Sequence, residues 1–265
     1  MASEQTFGAQ INREIIALSG PEEEQRDFLQ SLVTNDVTKA GADTLVYAAL
    51  LTPQGKYLSD FFIRKTASGD YSLDVAPAQA EALTKRLTMY KLRRPITLTR
   101  EHASVAAVWG GEAPAQGFPD PRDPALGWRV YDDPAAALAN ANPADYDLHR
   151  LKLSIPESDA DLIANDTYIL EAGFERMAGV DFKKGCYVGQ EIVARMKHKT
   201  ELRKGYALVS VSDAIPLGEP IKTIEEKPAG VVFSNREGIG LALLRLDRVK
   251  GAETLTAGNA TVKVL

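Results

Sequence analysis

Over the first part of the chain, the spacing of apolar and polar positions is in some segments that of a β-strand and in others that of an α-helix. Residues 11–18 are mostly apolar and predict an opening strand. Three consecutive glutamates then mark the start of an amphipathic helix, since acidic side chains complement the positive end of a helix dipole. This helix is expected to stop near residues 34–36. Residues 45–66 hold two β-prone runs on either side of a Thr-Pro-Gln-Gly turn, and this pattern predicts a β-hairpin.

The hairpin is followed by the pattern of a strand and a helix. Residues 71–75 predict a strand, and a helix of about 14 residues is expected to start at Pro77, so that these elements form a compact α+β lobe. Two more strands are predicted at residues 96–99 and 105–109. Residues 110–127 hold four prolines and four glycines, which predicts a loop with freedom to move.

The second half of the chain changes from a mixed pattern to a purely β-prone one. Helices are predicted at residues 134–141 and 143–153. Residues 205–265 consist of short β-prone runs separated by Pro, Gly and Asn, which is typical of a small β-barrel or sandwich. We therefore expect an α+β protein with two α+β lobes, at about residues 1–100 and 101–204, and a small C-terminal β-domain.

Composition excludes several classes of protein. The chain has 265 residues, of which 45% are hydrophobic and 25% charged, as in ordinary soluble domains. The net charge is −5, which argues against a general nucleic-acid binder. The sequence contains neither an apolar run near 18 residues nor a recognisable secretory signal, so we expect no membrane span and a cytoplasmic location.

The counts of cysteine and histidine limit metal and disulfide chemistry. Cys186 is the only cysteine, so the chain's thiols alone can form no intramolecular disulfide and no zinc or iron–sulfur site. His102, His149 and His198 lie far apart and lack the spacing of metal ligands. We expect no metal site.

A basic segment surrounds the single cysteine. Residues 183–204 contain seven Lys or Arg and two Glu, so this segment carries +5 and the rest of the chain −10. Nearby cations and a helix N-terminus lower the pKa of a thiol, and a helix is predicted to start near Gly189. The residues alone leave two interpretations of Cys186 open, a reactive thiol or an inert, half-buried packing residue.

The segment around this cysteine also resembles a known family signature. Residues 184–191, Lys-Gly-Cys-Tyr-Val-Gly-Gln-Glu, continuing to Arg195, resemble the signature of the YgfZ family. These folate-binding proteins resemble the aminomethyltransferase (T-protein) of the glycine cleavage system and include mitochondrial iron–sulfur assembly factors. Further segments fit the family in order, so that the resemblance covers nearly the whole chain: residues 28–37, 51–56, 155–157, 171–173 and 240–245.

The resemblance implies a fold and a ligand. The fold is a ring of lobes around a central opening that accepts tetrahydrofolate, closed by a C-terminal β-barrel. Asp60 matches the aspartate that the aminomethyltransferase presents to folate, and Glu171 matches the glutamate that holds the pterin. A carboxylate suits a pterin because its oxygens can accept hydrogen bonds from adjacent ring N–H groups. The implied folate-binding residues are Asp60, Glu171, Lys184, Tyr187, Gln190 and Arg195, with Lys197 and Lys199 as further partners of the folate's glutamate tail.

Without the family, the same residues have simpler interpretations. Asp60 could be an exposed strand carboxylate, and Glu171 could be a surface residue. The cations of the helix at residues 190–199 could form a solvated face. These alternatives stay open at the level of sequence.

Three functions are compatible with these observations. The first is a tetrahydrofolate-binding accessory factor for the maturation or repair of iron–sulfur proteins, with client or assembly proteins as partners and Cys186 as its essential, catalytic thiol. One cysteine cannot hold a cluster that normally needs four ligands, so the thiol would be a transient ligand, a nucleophile or a redox group. The second is a folate-dependent one-carbon transfer enzyme, in which a reactive cysteine has no evident task. The third is transfer-RNA modification, direct through the basic segment or indirect through an iron–sulfur enzyme.

Overall fold

The chain begins with two strands that belong to different sheets. The computed structural model describes residues 5–132, 138–199, 201–251 and 254–265. Strand β1 (Phe7–Ile11) pairs in the sheet of the second lobe, whereas β2 (Glu14–Ser19) pairs in the sheet of the first. The strand predicted at residues 11–18 is confirmed as β2 over most of its length, but β1 was not predicted. The chain changes sheets between them, at Asn12 and Arg13.

The first lobe is a five-stranded antiparallel sheet covered by two helices. The helices are α1 (Glu22–Gln30) and α2 (Pro77–Lys91). The remaining strands are β3 (Val46–Leu51), β4 (Tyr57–Lys65), β5 (Tyr71–Val75) and β6 (Thr97–Glu101), and the spatial order is β3-β4-β5-β2-β6. The hairpin formed by β3 and β4, the strand β5 and the helix that starts at Pro77 confirm the predictions for this lobe.

The second lobe is a four-stranded sheet in the order β1-β7-β9-β8. Its other strands are β7 (Val105–Trp109), β8 (Phe118–Pro119) and β9 (Trp128–Tyr131), and helix α3 (Pro143–Lys152) packs on β1. Of the helix predicted at residues 134–141, residues 134–137 lie outside the described residues, and residues 138–141 form turn and irregular structure. Within the Pro/Gly-rich loop, the structure forms the short strand β8 and buries two charged side chains, Asp120 and Arg122.

A closed six-stranded barrel ends the chain. It contains β10 (Lys204–Val211), β11 (Glu219–Thr223), β12 (Pro228–Arg236), β13 (Ile239–Arg245), β14 (Leu255–Ala257) and β15 (Ala260–Val264). The barrel closes because β15 pairs with β10. Apolar side chains such as Val232, Leu244 and Val262 fill its interior.

The architecture confirms the expected fold class, an α+β protein with two lobes and a small C-terminal β-barrel. One further helix, α4 (Gln190–Lys199), precedes the barrel at the position that the sequence predicts. Within the described residues, none of the helices is both long and apolar enough to cross a membrane.

Candidate functional site

Asp60 lies enclosed in the middle of β4 rather than on an exposed strand face. Asp60 is only 2% exposed. Oδ1 accepts hydrogen bonds from the hydroxyls of Tyr57 at 2.5 Å and Ser158 at 2.6 Å. Oδ2 accepts from the hydroxyl of Tyr47 at 2.9 Å. Since a carboxylate offers about four acceptor positions, most of the capacity of Asp60 is already used by the protein.

An aromatic cluster closes the space around this carboxylate. Phe174 stacks on Tyr47 with ring centroids 5.1 Å apart and meets Tyr57 edge-on. Burial and the adjacent charge of Asp60 raise the pKa of both tyrosines well above the ordinary value. The two phenols are therefore neutral donors at physiological pH, and they orient the Asp60 carboxylate inward.

A second buried carboxylate, Asp74 on β5, joins the two lobes. Arg13 donates from Nε to Asp74 Oδ1 at 2.5 Å, and Arg129 donates from Nη1 to Oδ2 at 2.5 Å. The Tyr131 hydroxyl donates to Oδ2 at 2.9 Å. Burial alone would raise the pKa of Asp74, but the two guanidinium groups outweigh it and lower this pKa. Paired charges of this kind can be buried, whereas unpaired ones cannot.

The Pro/Gly-rich loop extends the buried network. Arg122 forms a two-pronged pair with Asp120, with Nε–Oδ1 and Nη2–Oδ2 distances of 3.0 Å and 2.8 Å. Its Nη1 lies 3.5 Å from a carboxylate oxygen of Glu157. The Phe62 ring lies beneath two guanidinium groups, with centroid distances of 4.9 Å to Arg122 and 3.8 Å to Arg129. These contacts hold the loop against the first lobe.

Sequence reasoning missed these charged residues. They are buried, and all except Arg13 interrupt an apolar or proline-rich stretch, which is the only local signal that marks them. Arg13 lies between the polar residues Asn12 and Glu14 and has no such signal. The members of the network that were not predicted are Arg13, Asp74, Asp120, Arg122 and Arg129.

A cleft of about 500 Å³ opens where the two lobes and the barrel meet, and we call it the junction cleft. Sites for small molecules commonly have volumes of roughly 300–1,000 Å³. The Ser158 hydroxyl lies between this cleft and Asp60. The charged residues of its lining are Arg13, Arg129, Asp147, Arg150, Glu157, Asp159 and Arg236.

Arg150 fixes the barrel to the second lobe at the side of the junction cleft. Its Nη1 donates to Asp161 Oδ2 at 2.8 Å, and its Nη2 donates to the Ser234 hydroxyl on β12 at 3.0 Å. The other oxygen of Asp161 accepts from the backbone N–H of Ser234 at 2.9 Å. The cleft therefore has a rigid wall across a boundary between lobes.

Glu171 lines a different cleft, at the seam between the β3–β4 turn and the barrel. This seam cleft has a volume of about 300 Å³. Burial raises the pKa of Glu171, and the charges of Lys204 and Lys56 oppose that shift. Asp60 and Glu171, the two carboxylates that the resemblance assigns to folate, thus do not meet in one cleft. The polar and aromatic lining of the seam cleft includes Lys56, Tyr168, Glu171, Arg203, Lys204 and Arg245.

Lys184 is buried and closes the end of α1. Its ammonium donates to the backbone carbonyl oxygens of Gln30 at 2.8 Å and Val33 at 2.5 Å. Desolvation lowers the pKa of Lys184 to about 8, against the opposing charges of Asp36 and Asp181. The ammonium thus satisfies carbonyl groups that a helix end leaves without partners.

Cys186 is exposed on a loop that is held on both sides. Tyr187, next to it, is buried, and burial raises its pKa to about 12. Gly189 has φ +85°, and a Cβ there would lie 2.6 Å from the Thr52 carbonyl oxygen in the β3–β4 turn. The loop is therefore fixed between the end of α1 and this turn. The interpretation of Cys186 as a half-buried packing residue is wrong.

Helix α4 carries the remaining residues that the resemblance implies. Gln190 is half-buried at its first position, and its backbone N–H donates to the Tyr187 carbonyl at 3.3 Å. Arg195 and Lys199 are exposed, and Lys197 forms an ion pair with Glu175. Neither the junction cleft nor the seam cleft takes a described lining residue from α4.

Comparisons with known proteins give a consistent set of similarities. Residues 203–265 match the family model described as CAF17, C-terminal beta-barrel domain. The chain is 31% identical to the iron–sulfur cluster assembly factor IBA57 homolog of Mycosarcoma maydis, covering 90% of this chain and 73% of that protein. It is 30% identical to human IBA57, covering 90% of this chain and 77% of that protein.

A solved structure shows the same fold. The glycine cleavage system aminomethyltransferase T from Bartonella henselae superposes with a TM-score of 0.76 over 98% of this chain and 84% of that one. The sequence identity is 15%, so this similarity concerns the fold alone. It confirms the expected aminomethyltransferase-like architecture.

The comparisons also correct one expectation. The fungal and human relatives are named as mitochondrial proteins, which contradicts the cytoplasmic location expected from the sequence. That expectation depended on the lack of a secretory signal, and this lack does not separate the cytosol from an organelle.

Proposed function

The chain belongs to the IBA57 family of iron–sulfur cluster assembly factors, and from this premise we propose that it is a tetrahydrofolate-binding factor of the YgfZ type with Cys186 as its essential thiol. The observation that carries the proposal is the exposed position of Cys186 on an anchored loop. A thiol that must reach a client protein has to lie at the surface, and a fixed loop presents it in one orientation. The partners are iron–sulfur client or assembly proteins.

The chemistry of one thiol limits what this factor does alone. Iron–sulfur clusters are normally held by four protein ligands, so Cys186 supplies at most one of them. The other ligands would come from a partner protein or a small thiol. Cys186 therefore acts beside a partner's groups, as a transient ligand, a nucleophile or a redox group.

The junction cleft is our proposed folate site. Its volume suits a small molecule, and it contains both carboxylates and guanidinium groups. Glu157 and Asp159 can accept from the N–H groups of a pterin, while the exposed Arg236 suits a carboxylate of a glutamate tail. Asp60 takes part through Ser158, because its own oxygens are enclosed.

The thiol is tested by complementation with two substitutions. Cys186→Ala and Cys186→Ser should fold and bind tetrahydrofolate like the wild type, yet fail to restore iron–sulfur enzyme activity in cells that lack the endogenous factor. The serine variant keeps the size and polarity of the side chain, so its failure would assign the function to sulfur. Full rescue by both variants would contradict the proposal.

The folate site is tested by a separate titration. Arg236→Gln should weaken tetrahydrofolate binding, because Arg236 lines the junction cleft. The matched substitution Arg195→Gln removes an exposed guanidinium on α4, where the resemblance places a folate contact. If only Arg195→Gln weakens binding, folate lies against α4 and the assignment to the junction cleft is wrong.

The geometry of Asp60 does not favour the one-carbon transferase. An aspartate that is presented to a folate must be accessible to it, whereas Asp60 is 2% exposed and accepts three hydroxyl hydrogen bonds. An influence on transfer-RNA modification would follow indirectly, through the maturation of an iron–sulfur modification enzyme.

A further inference from the structure

The seam cleft concentrates positive charge between the first lobe and the barrel. Lys56 comes from the β3–β4 turn, and Arg203 directly precedes β10. Lys204 is the first residue of β10, and Arg245 is the last residue of β13. The two carboxylates in its lining, on Asp166 and Glu171, balance only half of these four cations.

Two of the cations lie directly opposite each other. Lys204 and Arg245 are partners in the antiparallel register of β10 and β13, so their side chains leave the same face of the barrel wall. Like charges at directly opposed positions destabilise a sheet. The barrel thus places a repulsive pair where an anion between the two side chains would relieve the repulsion.

Arg245 also has an unused donor. Its Nε is buried and has no hydrogen-bond partner among the described residues. Nη2, on the same edge of the guanidinium as Nε, meets Asp247 at the surface across a long distance, with 3.5 Å between Nη2 and Oδ2. A buried N–H without an acceptor is unfavourable, and buried donors are nearly always satisfied in folded proteins.

The opposite wall of the cleft is already fixed. The Lys56 ammonium lies 3.6 Å from the centroid of the Tyr168 ring and donates to the backbone carbonyl of Asp166. Its position is therefore set by the protein. The free binding capacity of the cleft lies on the barrel side, at Lys204 and Arg245.

We propose that the seam cleft binds a small ligand through an oxyanion, a carboxylate or a phosphate, held by Arg245 and Lys204. The planar guanidinium group can donate two parallel hydrogen bonds to such a group, and the lysine adds a compact charge. Glu171 on the same lining repels the anion and keeps its affinity moderate. The site is separate from the junction cleft and does not depend on the folate proposal.

The experiment compares thermal unfolding in sodium phosphate, sodium glutarate and sodium chloride at equal ionic strength and pH. Phosphate or glutarate should raise the unfolding temperature of the wild type above its value in chloride. A response to phosphate alone identifies a phosphate ligand, and a response to glutarate alone identifies a carboxylate. No difference among the three salts would overturn the proposal.

Variants assign the effect to the seam cleft. Arg245→Gln and Lys204→Gln should abolish the stabilisation by anions, whereas Lys263→Gln, at an exposed cation on another strand of the barrel, should keep it. Glu171→Gln should strengthen it, because this substitution removes a repulsive carboxylate. An equal response in the Arg245, Lys204 and Lys263 variants would contradict the site.

The same variants separate this proposal from the folate site. Arg245→Gln should leave the tetrahydrofolate titration unchanged, because Arg245 does not line the junction cleft. Loss of tetrahydrofolate binding in Arg245→Gln would show that the seam cleft holds folate instead, and it would overturn the independent oxyanion site.

Discussion

The ammonium group of Lys184 lies 2.5 Å from the carbonyl oxygen of Val33, just beyond the end of α1. A lysine that the resemblance assigns to folate therefore has its ammonium group engaged at the end of α1. Cations near a helix C-terminus bind its free carbonyl groups and interact favourably with the helix dipole. In this chain, that interaction also fixes the position of the residue two places before Cys186.

We predict that Lys184→Met lowers the free energy of unfolding by about 1–3 kcal/mol, because two carbonyl oxygens lose their charged donor. Urea unfolding measures this difference. The exposed neighbour supplies the control, and Lys183→Met should change stability by less than about 0.5 kcal/mol. Equal effects of the two substitutions would contradict a structural role for the Lys184 ammonium.

A second prediction concerns the two glycines on either side of the cysteine. Gly189→Ala should destabilise the protein by at least about 1 kcal/mol, because φ is +85° and the new Cβ would clash with the Thr52 carbonyl oxygen. Gly185→Ala should be nearly neutral, since a Cβ there meets no atom within 4 Å. Urea unfolding and the rescue of iron–sulfur enzyme activity should rank the two variants in the same order. A Gly189→Ala protein as stable as the wild type would show that the turn and the loop can separate freely.

The third prediction concerns the buried carboxylate between the lobes. Asp74→Asn keeps the shape of the side chain but removes the shortest charge contact of both Arg13 and Arg129, which should cost about 3–5 kcal/mol. The two arginines would keep only their longer charge contacts, 3.2 Å to Glu157 and 3.4 Å to Asp120. Asp213→Asn, at an exposed position on the barrel, is the matched control. Unfolding in urea at neutral pH measures the free energy of unfolding of both variants. If Asp74→Asn loses as little stability as Asp213→Asn, the two arginines have found other partners.

The ion pairs of Asp74 also predict that the stability of the protein depends on pH. The pKa of Asp74 is lower in the folded protein than in the unfolded chain, so the unfolded chain binds a proton first as the pH falls. Its contribution is therefore complete above the unfolded value, about pH 4, and is lost as the pH falls further through the lower folded value. The Asp74→Asn variant should lose less stability over that acidic range than the wild type. A parallel loss in both proteins would contradict the assignment.

Local signals predicted those elements whose contacts are close in sequence. The β3–β4 hairpin follows from its own turn residues, and α4 follows from its own apolar spacing. The prediction at residues 11–18 found β2 but missed β1, and it did not show that the two strands join different sheets. A residue pattern contains no information about which sheet a strand joins.

The site was less predictable than the fold for the same reason. Asp60 was placed correctly on a strand, but the Ser158 hydroxyl that covers it comes from 98 positions away. Likewise, Arg122 lies in the loop predicted at residues 110–127, and its burial follows from its pairing with Asp120 and Glu157. The sequence did single out Cys186, because its motif is contiguous, but it left open whether the thiol is half-buried, and the structure shows that it is exposed.

The contact of Arg150 with Ser234 has a consequence for how the chain unfolds. Asp161 accepts from both residues, and the Tyr206 hydroxyl on β10 donates to its backbone carbonyl. Separating the barrel from the lobes would expose Arg150 and Asp161 to water, which would compete for their hydrogen bonds. It would also open the wall of the junction cleft. The barrel is a recognisable module in sequence, but thermodynamically it belongs to one cooperative unit with the lobe that precedes it.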